Sequence, residues 1–122
     1  MKVLTICNHG NVRSACLARE IKDLNGACTS TDLDYLENTF VKYQAVAIGA
    51  HCNKIETIKH FVEWADLVVD LSDNDSKVQL RLQDVAKEKY RRFDIGGDRW
   101  GNSFHPELRE ICQTIRRELL QK

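Results

Sequence analysis

The chain has 122 residues, 43% of them hydrophobic and 30% charged, with a formal net charge of zero and a pI near 6.9. That length suits one domain (1–122) around a single core, and the balanced charge excludes nucleic acid or another polyanion as a partner held by bulk electrostatics. No run approaches the roughly 18 apolar residues of a membrane span, and the opening stretch MKVLTICNHG turns polar too soon for a signal peptide, so a cytoplasmic protein with no membrane partner is expected.

Lys2 to Ile6 holds the apolar run Val3, Leu4 and Ile6 and predicts a strand. From Ser14, the positions Ala15, Leu17, Ala18, Ile21 and Leu24 fall on one helical face, with Asn25-Gly26 as the stop. Ala27 to Thr31 reads as a short strand, Phe40 to Ile48 as a helix broken by Gly49, and Ile55 to Trp64 as a further helix. Asp66 to Leu71 is the clearest interior strand, and Ser72-Asp73-Asn74 turns into a helix running to about Lys87. Tyr90 to Ile95 is a last strand, followed by a loop with Gly96, Gly97 and Gly101. Pro106 then opens a final helix with Leu108, Ile111, Cys112, Ile115, Leu119 and Leu120 on one face. Strands alternating with helices predict an α/β fold: one three-layer domain, a parallel sheet of about four strands, helices on both faces, and a site at the carboxyl ends of the strands.

The five cysteines (Cys7, Cys16, Cys28, Cys52 and Cys112) include no CxxC pair, which points neither to a disulfide framework nor to a zinc site. Cys28 and Cys112 read as small buried apolar side chains. Cys7 differs, because it opens Cys7-Asn8-His9-Gly10-Asn11-Val12-Arg13-Ser14 on the first strand-to-helix turn. Backbone N–H groups of such a loop converge on one point, and the helix N-terminus adds partial positive charge there. A tetrahedral oxyanion fits that nest, with Arg13 gripping two of its oxygens. The same field favours the Cys7 thiolate and makes it a nucleophile near neutral pH. Gly10 suits a tight curve with positive φ, and the Ser14 hydroxyl is placed to hydrogen-bond the sulfur.

In this loop the sequence resembles the low-molecular-weight protein tyrosine phosphatases and their arsenate-reductase relatives, which carry Cys-x5-Arg-Ser after the first strand. Trp64 to Asn74 is similar to the family's central Ala-Asp-Leu-Ile strand and its turn, and Gly49-Ala50-His51 to a Gly-rich stretch whose His buttresses the loop. Asp98-Arg99-Trp100-Gly101 is similar to the family's Asp-Pro-aromatic-Gly loop, with Arg99 in place of the Pro. Gly10 and Asn11 lie one position later than in the family, and Val12 stands where it has a second loop cysteine.

The resemblance implies a phosphomonoesterase that needs no metal or cofactor. Cys7 would attack phosphorus, Arg13 and the loop 8–12 with Ser14 would hold the phosphoryl oxygens, and Asp98 would serve as general acid. Asp94, four residues earlier in the same loop, is the rival acid. Trp100 either stacks on an aryl leaving group, favouring phosphotyrosine-like substrates on a protein or small molecule, or covers the core. His9 points to solvent or orients substrate, His51 supports the loop or lies at the surface, and Arg91-Arg92 and Arg116-Arg117 are solvated faces. Two other readings stand beside this one. Thiol-dependent arsenate reduction would need a resolving thiol such as Cys16, Cys28 or Cys52, and a catalytically weak oxyanion- or phosphoprotein-binding module would need only the nest.

Overall fold

The computed structural model describes residues 1–25, 43–51, 53–72, 76–96 and 99–120. Strands β1 (Lys2–Cys7), β2 (Gln44–Gly49), β3 (Leu67–Asp70) and β4 (Tyr90–Arg92) form one sheet in the order β2-β1-β3-β4. Every pairing in it is parallel. The α-helices among the described residues are α1 (Arg13–Lys22), α2 (Ile55–Trp64), α3 (Ser76–Ala86) and α4 (Pro106–Leu120).

Alternation along β1 sorts the core into two layers. Val3 and Cys7 pack with Cys16, Leu17 and Ile21 of α1 and Leu108, Cys112 and Ile115 of α4. Leu4 and Ile6, on the opposite face, pack with Ile58 and Val62 of α2 and Leu82 and Ala86 of α3. A parallel sheet buried on both faces is what a β1 with every residue but Lys2 buried requires. The expected three-layer α/β architecture is therefore present, and α4 begins at Pro106 as the sequence predicts. No helix among the described residues is long and apolar enough to cross a membrane.

One element differs. Residues 44–48, expected within a helix, belong to strand β2, whose register with β1 runs from Lys2 opposite Gln44 to Cys7 opposite Gly49. Ala45-Val46-Ala47-Ile48 is a short apolar run without a decisive period, and alanine favours the helix. The edge of β1 decides the matter, because its buried backbone donors and acceptors need a partner strand. The strand expected at 27–31 lies outside the described residues, as do 40–42.

Two of the arginines expected in solvent are partly buried instead. Arg92 meets the fully buried Asp70 at 3.5 Å. Arg116 meets Glu20 at 3.4 Å, where a carboxylate only 3% exposed also takes Arg109 Nε at 3.2 Å. Gln113 Nε2 reaches the same carboxylate at 3.5 Å, and Arg116 donates to the Glu20 carbonyl at 3.0 Å. Glu20 thus ties α1, which carries the loop's arginine and serine, to three positions on α4. Removing one side of a buried ion pair leaves the other without its counter-charge. Glu20→Ala is therefore expected to lower stability by about 2–3 kcal/mol, whereas Leu80→Ala, at an exposed position, stays within about 0.5 kcal/mol. Urea denaturation of the three proteins checks this.

Candidate active site

Cys7 ends β1, with β2 on one side and β3 on the other. The chain passes from β1 to β2 on one side and from β3 to β4 on the other, so the strand order switches between β1 and β3, which is where an open α/β sheet forms a crevice at its carboxyl edge. The loop that follows is built on two glycines. Gly10 has φ +79°, as its place in the turn predicts, and a Cβ on it would lie 2.6 Å from Gly49 N. A Cβ on Gly49 would lie 2.6 Å from the His9 carbonyl carbon. The loop therefore rests directly on the backbone leaving β2. Ala50 N–H donates to the Cys7 carbonyl at 2.7 Å and His51 N–H to the Asn8 carbonyl at 3.0 Å. Asn53 Nδ2 holds the Gly49 carbonyl at 2.8 Å. Gly49-Ala50-His51 does support the loop, but through main-chain amides. The His51 ring is exposed, tilted against His9 with centroids 6.2 Å apart.

The Cys7 side chain is buried, and its Sγ lies 3.1 Å from Ser14 Oγ and 3.1 Å from the Gly10 N–H. Burial pushes the thiol up. The Ser14 hydroxyl and the amides of Ser14, Gly10 and His9 outweigh that, and the Cys7 pKa falls below its ordinary value. Ser14 is itself buried, and its carbonyl accepts from Thr5 Oγ1 at 2.8 Å. Thr5, which sequence reading passed over, thus fixes the residue that fixes the sulfur. Helix α1 has no acidic residue in its first turn and no capping side chain at Val12, so its positive dipole end is not offset there and favours an anion.

Arg13 is 1% exposed and strapped at both terminal nitrogens: NH1 donates to the Gly96 carbonyl at 3.0 Å and NH2 to Asn8 Oδ1 at 3.3 Å. Gly96 was singled out only as a loop residue. It proves to be the acceptor that sets the guanidinium plane. Asp94 is exposed and accepts the Gly96 N–H at 3.2 Å, so this acid candidate caps the same turn that holds Arg13. Asp98 lies outside the described residues, as do Cys28 and Cys52.

His9 and Asn11 are exposed on the loop, whereas the Val12 side chain enters the core. Val12 can therefore serve an anion only through its backbone. Of the two readings of Trp100, the structure bears out the one in which it covers the core. It is 3% exposed, packed in the core cluster and edge-on to His105 at 5.4 Å, so its indole is not open to an aryl group. The guanidinium of Arg99 lies over that indole at 4.3 Å. Cys112 is buried, as expected, and hydrogen-bonds Cys16 across α1 and α4. That contact draws the Cys16 thiol down and pushes Cys112 up.

Taken together, these groups can bind a tetrahedral anion and present a thiolate to it. Compared with known proteins, the chain matches no family model and no curated protein. Among solved structures it is similar to YwlE arginine phosphatase, a mutant with a phosphorylated active-site serine, at 13% identity over 98% of this chain and 95% of that one, with a TM-score of 0.49.

The hydrogen bonds at Cys7 give a test that does not depend on any substrate. In wild type, alkylation by iodoacetamide should titrate below the ordinary thiol range, because the thiolate persists to lower pH. Ser14→Ala removes a donor that favours the thiolate, so the midpoint of the alkylation–pH curve should move to higher pH. Coincident curves for the two proteins would contradict the assignment.

Proposed function

We propose that the chain is a cysteine-dependent phosphomonoesterase acting on phosphotyrosine-like aryl phosphates. The observation that carries this reading is a buried Cys7 thiol drawn toward the thiolate, at the mouth of a helix N-terminus that also presents a fixed Arg13. Nucleophile, anion nest and guanidinium are the groups that transfer of a phosphoryl group to sulfur requires. The aryl class is supported by the motif resemblance alone, since the core occupies Trp100.

In the first step Cys7 Sγ attacks phosphorus in line, and the bond from phosphorus to the ester oxygen breaks. The loop amides and Arg13 hold the phosphoryl oxygens while Asp98 delivers its proton to the departing oxygen. In the second step Asp98 takes a proton from water, the oxygen of that water attacks phosphorus, and the sulfur–phosphorus bond breaks. Ser14 Oγ and the Gly10 N–H, each 3.1 Å from the sulfur, then stabilise the departing thiolate. These same contacts favour the nucleophile before the reaction, so one set of donors serves both steps. The substrate would be a phosphorylated protein or a small aryl phosphate, met in the cytoplasm.

Hydrolysis of p-nitrophenyl phosphate without added metal checks the proposal. Wild type should turn over, Cys7→Ser should fall to the uncatalysed background, and Asp98→Asn should lose roughly 10²–10⁴-fold in kcat. Asp94→Asn should stay within several-fold of wild type. Equal rates for wild type and Cys7→Ser across pH 5 to 7 would refute the reading. Phosphate binding without turnover would leave a binding module in its place.

A further inference from the structure

An acidic residue inside the apolar run Leu67-Val68-Val69-Asp70-Leu71 is unusual, and Asp70 is fully buried. A carboxylate taken from water is costly unless its oxygens are occupied, and here both are. Oδ1 accepts from the Ser72 N–H at 2.9 Å and the Ser72 hydroxyl at 2.6 Å. Oδ2 accepts from the Tyr90 hydroxyl at 2.5 Å and meets Arg92 NH1 at 3.5 Å. Arg92 NH1 also donates to the Ser72 carbonyl at 3.1 Å.

Tyr90 and Arg92 are the two ends of β4, a strand of three residues at the edge of the sheet. Three backbone register pairs are little to hold an edge strand in place. By taking both ends onto one carboxylate oxygen, Asp70 fixes the position of β4 against β3. The main chain reinforces it, with Phe93 N–H donating to the Asp70 carbonyl at 3.1 Å. Burial and the Asp70 carboxylate push the Tyr90 hydroxyl well above its ordinary range, so it remains a donor across the working pH. Four residues beyond Arg92 the chain reaches Gly96, whose carbonyl takes Arg13 NH1.

Asp70 also stands opposite Ile6 in the β1–β3 register, one residue before Cys7. Its network therefore lies between the strand that carries the nucleophile and the turn that holds the guanidinium. We propose that Asp70 is a positioning residue of the site: it anchors β4 so that the 93–96 turn keeps Arg13 oriented for a phosphoryl group. This rests on Arg13 being the phosphate clamp of the proposed reaction.

The experiment is calorimetric titration of inorganic phosphate into wild type, Asp70→Asn and Tyr90→Phe, each also placed in an Arg13→Lys background. Thermal melts run alongside. Asp70→Asn should weaken phosphate about tenfold and Tyr90→Phe about threefold, and in the Arg13→Lys background each should cost less than about twofold. The iodoacetamide–pH midpoint of Cys7 should not move in either variant, because neither change touches the donors on its sulfur. A purely structural role would lower the melting temperature and leave phosphate affinity unchanged, or weaken it equally in both backgrounds, and either outcome overturns the proposal. Should Asp70→Asn fail to fold, Tyr90→Phe, which removes one hydroxyl, decides the matter by the same criteria. A wild type that binds no phosphate would bring down the phosphatase reading along with this one. Unchanged affinity in both variants of a phosphate-binding wild type would bring down this one alone.

Discussion

The loop after β1 and the chain leaving β2 touch backbone to backbone at Gly10 and Gly49, where a Cβ on either would come within 2.6 Å of main-chain atoms. Much of the site follows from that contact. Because no side chain intervenes, the amides of Ala50 and His51 can reach the carbonyls of Cys7 and Asn8. The loop then turns tightly enough for Gly10 N–H to face the Cys7 sulfur, and α1 starts at Arg13 with no capping side chain at Val12. A larger residue at Gly10 would have to push the two segments apart and adopt positive φ, each a separate cost.

Within that frame, opposing electrostatic effects are settled by geometry. Burial alone would keep the Cys7 thiol protonated, yet the Ser14 hydroxyl and three backbone amides reverse the balance. Thr5 holds Ser14, Gly96 and Asn8 hold Arg13, and Asp70 holds the strand that leads to Gly96. The donors and acceptors that set Cys7 and Arg13 are thus distributed over β1 and the loop after it, α1, β3 and the segment following β4. Each is anchored in a core layer or by a buried carboxylate.

Local signals made part of this legible in the sequence. The Cys7-to-Ser14 segment lies on one strand-to-helix turn and could be read from residue types and spacing, including the positive φ of Gly10. Pro106 and the apolar spacing after it placed α4. What escaped reading depends on tertiary contact. Residues 44–48 look helical by composition and become a strand because β1 needs a partner. Backbone amides such as those of Ala50 and His51 carry no sequence signature. Trp100 fitted a motif that favoured substrate stacking, while its size favoured the core, and packing chose the core. Asp70 did leave a sign, a charge in the middle of an apolar strand, but the partners that tie it to β4, Tyr90 and Arg92, lie twenty residues or more along the chain.

The central claim is that Cys7 and Arg13 form a single anion site with the sulfur as nucleophile. A crystal structure with orthovanadate, which takes up the trigonal-bipyramidal geometry of a phosphoryl group in transfer, tests it most directly. Vanadium is expected within bonding distance of Cys7 Sγ, with its equatorial oxygens on the loop amides and the Arg13 guanidinium. Vanadate bound elsewhere, or held by Arg13 with no bond to the sulfur, would contradict it.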